Sequence, residues 1–167
     1  MWCAGITPDL SGPADVACDV RSRRLLFECK RPFSDAKLTR RINEAAEQLE
    51  RKLDSQPQGA RGLIAISLSR IINPGDARLV GTNEASLRET LARIVREHGE
   101  GLRYAWEPFR GTRIIGIVFH AITPAIEWAR PRVAVGQQIV GFSLSKPNTR
   151  DNRILESFVS ALESSRY

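Results

Sequence analysis

The sequence predicts an α/β domain, a mixed central sheet flanked by helices. Two observations carry this. Short apolar or alternating runs of strand length take turns along the chain with longer segments whose apolar residues recur at helical spacing. In addition, the 167 residues, 42% hydrophobic and 26% charged, suit one core and show no repeat or compositional break, so residues 1–167 read as a single domain. A chain of this size removes roughly two thirds of its unfolded surface from water on folding, and needs no disulfide or structural metal for stability.

The elements follow in order. Apolar and polar residues alternate from Asp15 to Val20 and from Leu25 to Lys30, with the polar Arg21-Ser22-Arg23-Arg24 between them, which predicts a hairpin. Pro32 ends its second strand. Ser34 then offers an N-cap to a helix whose apolar positions are Leu38, Ile42, Ala45, Ala46, Leu49 and Leu53. Gln56-Pro57-Gln58-Gly59 stops that helix, and Gly62 to Ser69 is a short apolar run, the pattern of a buried strand. Past a loop at Asn73-Pro74-Gly75, a second helix is capped near Asn83, buries Leu87, Leu91, Ile94 and Val95, and stops at His98-Gly99. Arg113 to His120 and Val133 to Leu144 are two further strands, the latter interrupted by Gly136 and Gly141. From Asp151 onward, Ile154, Leu155, Phe158, Val159 and Leu162 form the stripe of a packing helix, giving the order β-β-α-β-α-β-β-α.

Composition excludes several classes. No apolar run approaches the ~20 residues of a membrane span, and the first residues lack a basic stretch followed by an apolar one, so a cytoplasmic protein without a membrane partner is expected. Three cysteines, Cys3, Cys18 and Cys29, without C-x-x-C spacing suggest packed free thiols and neither a disulfide framework nor a zinc site. P-loop, dinucleotide and serine-hydrolase motifs are absent. The net charge of +6 favours a polyanionic partner such as nucleic acid. All but four of the 25 basic residues are arginine, however, a bias that codon composition alone can produce.

One constellation carries chemistry: Gly12-Pro13-Ala14-Asp15, twelve residues, then Glu28-Cys29-Lys30. A turn centred on Ser22-Arg23 pairs Val20 with Leu25, sets Asp15 opposite Lys30 and places Asp15 diagonally from Glu28 on one face. Val16, Cys18, Val20, Phe27 and Cys29 take the other face. Two carboxylates and one lysine together are costly through repulsion and lost hydration, and a Mg²⁺ ion between them removes that cost. Asp19 shares the face of Asp15, which is favoured by its spacing, and Asp9 precedes a Ser-Gly-Pro break that separates it from the hairpin.

These residues resemble the PD-(D/E)XK phosphodiesterase superfamily, the restriction-endonuclease-like fold, in which an aspartate on one strand precedes an acid-x-lysine on the next. The resemblance spans the hairpin, the following helix and the next strand, about a third of the chain, and implies a β-β-α-β core. It further implies that Asp15, Glu28 and the Cys29 carbonyl hold Mg²⁺ or Mn²⁺ and that Lys30 positions water and stabilises charge on the phosphate. Gln48 resembles a glutamine that family members carry on this helix. Many members add an acid on a helix before the hairpin; only fourteen residues precede Asp15 here, Pro8 and Pro13 among them, so no such helix fits within them, and the expectation is a start further upstream, a domain cut from a larger protein, or an incomplete metal site with activity reduced or lost.

Lys37, Arg41, Gln48 and Lys52 fall on one flank of the first helix, placing Lys37, Arg41 and Lys52 to meet a nucleic-acid backbone, with a solvated flank as the plainer alternative. His98 and His120 read as ordinary surface or core histidines. Tyr104, Trp106, Phe109 and Trp128 read as core or as base-stacking groups. The functional expectation is a metal-dependent nuclease acting on DNA. Its alternatives are an inactive nucleic-acid-binding module of the same fold and a non-enzymatic interaction domain.

Overall fold

A computed structural model describes residues 6–75, 78–129 and 132–164. It is α/β, with six strands in one mixed sheet and helices on both faces. The strands are β1 (Val16–Val20), β2 (Arg23–Lys30), β3 (Arg61–Ser67), β4 (Leu79–Gly81), β5 (Ile114–Glu127) and β6 (Arg132–Ser143). The long helices are α1 (Leu38–Asp54), α3 (Glu84–Gly101) and α5 (Arg150–Ser164), with one-turn helices α2 (Ser69–Ile72) and α4 (Arg103–Trp106) between them.

β1 and β2 form the predicted hairpin, in a register two residues from the expected one: Val20 pairs with Arg23, not Leu25, and Ala17 pairs with Leu26, not Glu28. The turn is Arg21-Ser22, with φ of 48° and 60°. A two-residue turn with both central φ positive matches the right-handed twist of the flanking strands, which favours it over a wider loop. Because the slip is an even number of residues, every side chain keeps its predicted face.

β2, β3 and β5 run parallel, in that order. β6 pairs antiparallel with β5 from Gly116 to Glu127, so β3 and β4 share the opposite edge of β5, β3 at Ile114–His120 and β4 at Ala125–Glu127. The sequence placed the end of β5 at His120 and missed β4, because Thr123-Pro124 breaks the β-branched run; in the sheet Pro124 sits in register with Val135.

The core has two halves. Leu26, Ile64, Ile66, Ile117 and Phe119 meet α1 and α3, and the predicted α1 stripe is buried throughout. On the other face Leu25, Phe27, Leu63 and Val118 meet Ile154, Leu155 and Phe158 of α5. Gly116 and Gly141 admit α5: a Cβ would lie 2.6 Å from Leu155 Cδ2 at the first and 2.7 Å from Val159 Cγ2 at the second. Arg113 ties the end of α1 to the loop that follows it, donating to the carbonyls of Leu53 (2.5 Å) in the last turn and of Pro57 (2.6 Å) and Ala60 (3.3 Å) beyond it.

Helix ends differ from expectation at two points. Ser34 makes no side-chain cap; it precedes a 3₁₀ turn, Asp35–Lys37, and α1 begins at Leu38. The second helix runs through His98-Gly99 to Gly101, and Gly99 has a packing role, since a Cβ there would lie 2.2 Å from the Phe142 ring. Asn83 is the predicted N-cap and forms a reciprocal box with Ser86. No helix among the described residues is long and apolar enough to cross a membrane.

Candidate active site

Glu28, on β2, is 1% exposed, a buried carboxylate beneath α1. Its alternation with Leu26 and Lys30 sends all three side chains to the α1 face. Gln48 and Lys52 lie one turn apart on α1 and meet them from above. Lys30 Nζ donates to Gln48 Oε1 at 2.6 Å and to Glu28 Oε2 at 3.4 Å, and Lys52 Nζ pairs with Glu28 Oε1. Lys30 and Lys52 are themselves largely covered, 17% and 27% exposed.

Asp15 enters from the start of β1. Its Oδ2 accepts the backbone N–H of Cys29 at 2.8 Å. In a two-residue hairpin whose flanking pair Val20 and Arg23 is hydrogen-bonded, the bonded rungs fall at every second residue, and the next one beyond Val16 and Phe27 belongs to Ala14 and Cys29. The Asp15 carboxylate takes that rung. The N–H and C=O of one strand residue leave on the same side, so the Cys29 carbonyl also faces the β1 edge beside Asp15, away from β3.

Glu28, Lys30, Gln48 and Lys52 therefore meet around the end of β2, and Asp15 is tied to the same strand through the Cys29 N–H. The expected electrostatics need correction, because the buried Glu28 carboxylate already has two ammonium partners, Lys30 and Lys52. Among the described residues, no group of three or more His, Cys, Asp or Glu gathers to hold a metal. Two carboxylates and a carbonyl still suit Mg²⁺, which commonly takes one or two carboxylates and completes its shell with water and substrate phosphate; a metal ligand at Glu28 Oε1 requires Lys52 to withdraw.

The flank expected to touch nucleic acid is divided. Lys37 is exposed, Arg41 Nη1 bonds Glu44 Oε2 at 2.6 Å, and Lys52 faces Glu28. The remaining acids are structural: Asp9 pairs with Arg24 and caps Ser11 N at 2.9 Å, and Asp19 Oδ2 lies 3.2 Å from Arg24 Nη1. Ser11, by N–H and hydroxyl, and Arg24 hold the Asp9 carboxyl at about 2. Cys18 is buried and its thiol is pushed up to about 11 by desolvation. Cys29 is an exposed free thiol, not a packed one, its pKa also raised; Cys3 lies outside the described residues.

His98 Nδ1 meets the Ile94 carbonyl at 2.9 Å and His120 Nε2 meets Gln137 at 3.2 Å, neither near Glu28 in the hydrogen-bond network. Trp106 packs against Phe119 and Phe142 in the core, whereas Tyr104 and Trp128 are exposed. Sequence reasoning assigned Lys52 to a phosphate; its position four residues after Gln48 puts both on one face of α1, and no local signal shows that this face covers a buried carboxylate.

No family model matches the chain, and no curated protein matches it.

Proposed function

We propose that the cluster is a phosphodiesterase centre of the PD-(D/E)XK type, hydrolysing DNA with Mg²⁺ or Mn²⁺. The observation that supports it best is the meeting of Lys30 with both Gln48 and Glu28 beside the carboxylate of Asp15, within a β-β-α-β unit of the kind that family uses. Asp15, Glu28 and the Cys29 carbonyl would hold the cation, which supplies charge on the phosphate and a lower pKa for a bound water. Gln48 and Glu28 fix the Lys30 ammonium, so that it orients water toward phosphorus and offsets the negative charge that grows as the new P–O bond forms and the old one breaks. Lys37 and Arg41 would steer the nucleic-acid backbone.

Plasmid and single-stranded DNA titrated with Mg²⁺ and Mn²⁺ test this reading. Metal-dependent cutting, lost in Lys30→Ala while fold and DNA binding persist, supports it. Cutting that survives Lys30→Ala, or no cutting with either metal, overturns it.

A second reading, an inactive nucleic-acid-binding module of the same fold, is favoured by the Lys52 contact, since the buried Glu28 then has two ammonium partners without any metal. It requires salt-sensitive DNA binding without hydrolysis.

A further inference from the structure

We infer that the far end of the β4-β5-β6 face is the interface of a two-fold homodimer. α5 covers this face of the sheet over Gly116, Val118, Ile139 and Gly141. Beyond the contact between His120 and Gln137 at 3.2 Å, the described residues leave side chains on this face exposed. The register then lays Val80, Ile126 and Val133 side by side across three strands, with Pro124 beside Val135 in the next row of the same face. Trp128 extends β5 on this side, its N–H donating to Gly81 O at 2.9 Å. Trp128, Val133 and Val135 are 74%, 73% and 72% exposed, and Val80 is 57% exposed.

None of these six side chains is charged, and together they expose roughly 500 Å², near the upper end of what a monomer leaves bare. Buried on two copies, that surface amounts to about 1,000 Å², the lower bound for a biological interface and the size of a weak, reversible one. Apolar sheet faces pack on one another about 10 Å apart, the side chains of one filling the gaps of the other. A two-fold axis lets one patch serve as both partners and closes the assembly at two. The chain's net charge of +6 opposes self-association at long range, and the six patch residues add no charge of their own. The proposed catalytic cluster lies on the opposite face, under α1, so this inference stands without it.

Sedimentation velocity of the full chain over a wide concentration range tests the inference. The wild type is expected to dimerise, more tightly as salt rises, because screening weakens the repulsion between basic copies. Val133→Glu/Val135→Glu is expected to raise the dimer dissociation constant at least tenfold. Both positions are exposed, so its circular dichroism and melting curve should match the wild-type monomer. Should that variant misfold, Val80→Lys provides the same reading from another strand, and hydrogen exchange of residues 122–135 that slows with rising wild-type concentration supports the interface. A wild type that stays monomeric at all concentrations overturns it. So does a dimer that is indifferent to substitutions in both β4 and β6.

Discussion

Lys52, one helical turn beyond Gln48, pairs with the oxygen of Glu28 that Lys30 leaves free, so a buried carboxylate is held by two ammoniums reaching it from different elements. Replacing Lys52 by Met keeps the helical stem and removes the charge. Glu28 then has one partner in a desolvated site, and a loss of about 1–3 kcal/mol is expected. Under the proposed function the same change frees a metal ligand. Thermal unfolding in chelator and in Mn²⁺ separates the two effects: Lys52→Met should melt below the wild type in chelator, with Mn²⁺ raising its Tm by more than it raises the wild-type Tm. Equal Mn²⁺ shifts in both proteins would remove Lys52 as a competitor for the ion.

Two strand glycines should respond in opposite ways to alanine. At Gly116 a Cβ would lie 2.9 Å from the Phe142 carbonyl oxygen and 2.6 Å from Leu155 Cδ2. The carbonyl belongs to the paired strand and has little freedom to move, so Gly116→Ala is expected to destabilise by about 1–3 kcal/mol through overpacking. At Gly136 the nearest atom, Leu91 Cδ2, is 3.4 Å away, which is ordinary contact. There the entropy of the unfolded glycine dominates, and Gly136→Ala should be neutral or stabilising by up to about 1 kcal/mol. Urea unfolding of both variants gives the comparison, and a stabilised Gly116→Ala would mean that α5 packs less closely than described.

What the sequence made legible follows from how local each signal is. The α1 stripe and the Asn83 cap depend on residues within a turn or two of one another, and both are present in the structure. The faces of the β1-β2 hairpin were readable because alternation fixes them, and they survive a slip of two residues. The register itself depends on which residues accept positive φ, and Arg21-Ser22 carries no glycine or asparagine to announce the turn. β4 is three residues long and is held by pairing with Ala125–Glu127, some 45 residues later, which no local pattern encodes. At the candidate site, Asp15, Glu28 and Lys30 were named from the hairpin pattern, and Gln48 through the resemblance to a family glutamine on this helix. The role of Lys52 was missed because a lysine on a helix flank looks solvated until the strand beneath it is known to bury a carboxylate.

The two described cysteines should separate cleanly by chemistry. Cys18 is 2% exposed, and desolvation, with Asp19 nearby, pushes its thiol up to about 11. Cys29 is exposed, its pKa raised by desolvation and by Asp15 and Glu28. Since the thiolate is the reacting species, brief alkylation of the native protein at neutral pH should modify Cys29 slowly and leave Cys18 intact until the chain unfolds. Peptide mapping by mass spectrometry reads both sites at once. Early labelling of Cys18 would mean that the β1 and α5 contact opens readily.

Asp9 links pH to the edge of the hairpin. Its carboxyl is lowered from 3.8 to about 2, first by the Ser11 hydroxyl and N–H and then by Arg24. Asp9 also exchanges backbone hydrogen bonds with Ala17, at 2.6 and 2.8 Å, so the carboxylate sits where the preceding segment docks on β1. A carboxylate whose folded pKa lies below its unfolded value stabilises the fold fully above the unfolded value, and that contribution fades as acid protonates the folded form. Asp9→Asn should therefore be less stable than the wild type at neutral pH, by an amount that stays constant down to about pH 4 and closes between there and about pH 2. The group is at the surface, so moderate salt should shrink the difference at neutral pH without moving the window in which it closes. Urea unfolding of both proteins across that range makes the comparison, and a difference that persists unchanged at the acid end would show that Asp9 acts through its shape and hydrogen bonds and not through its charge.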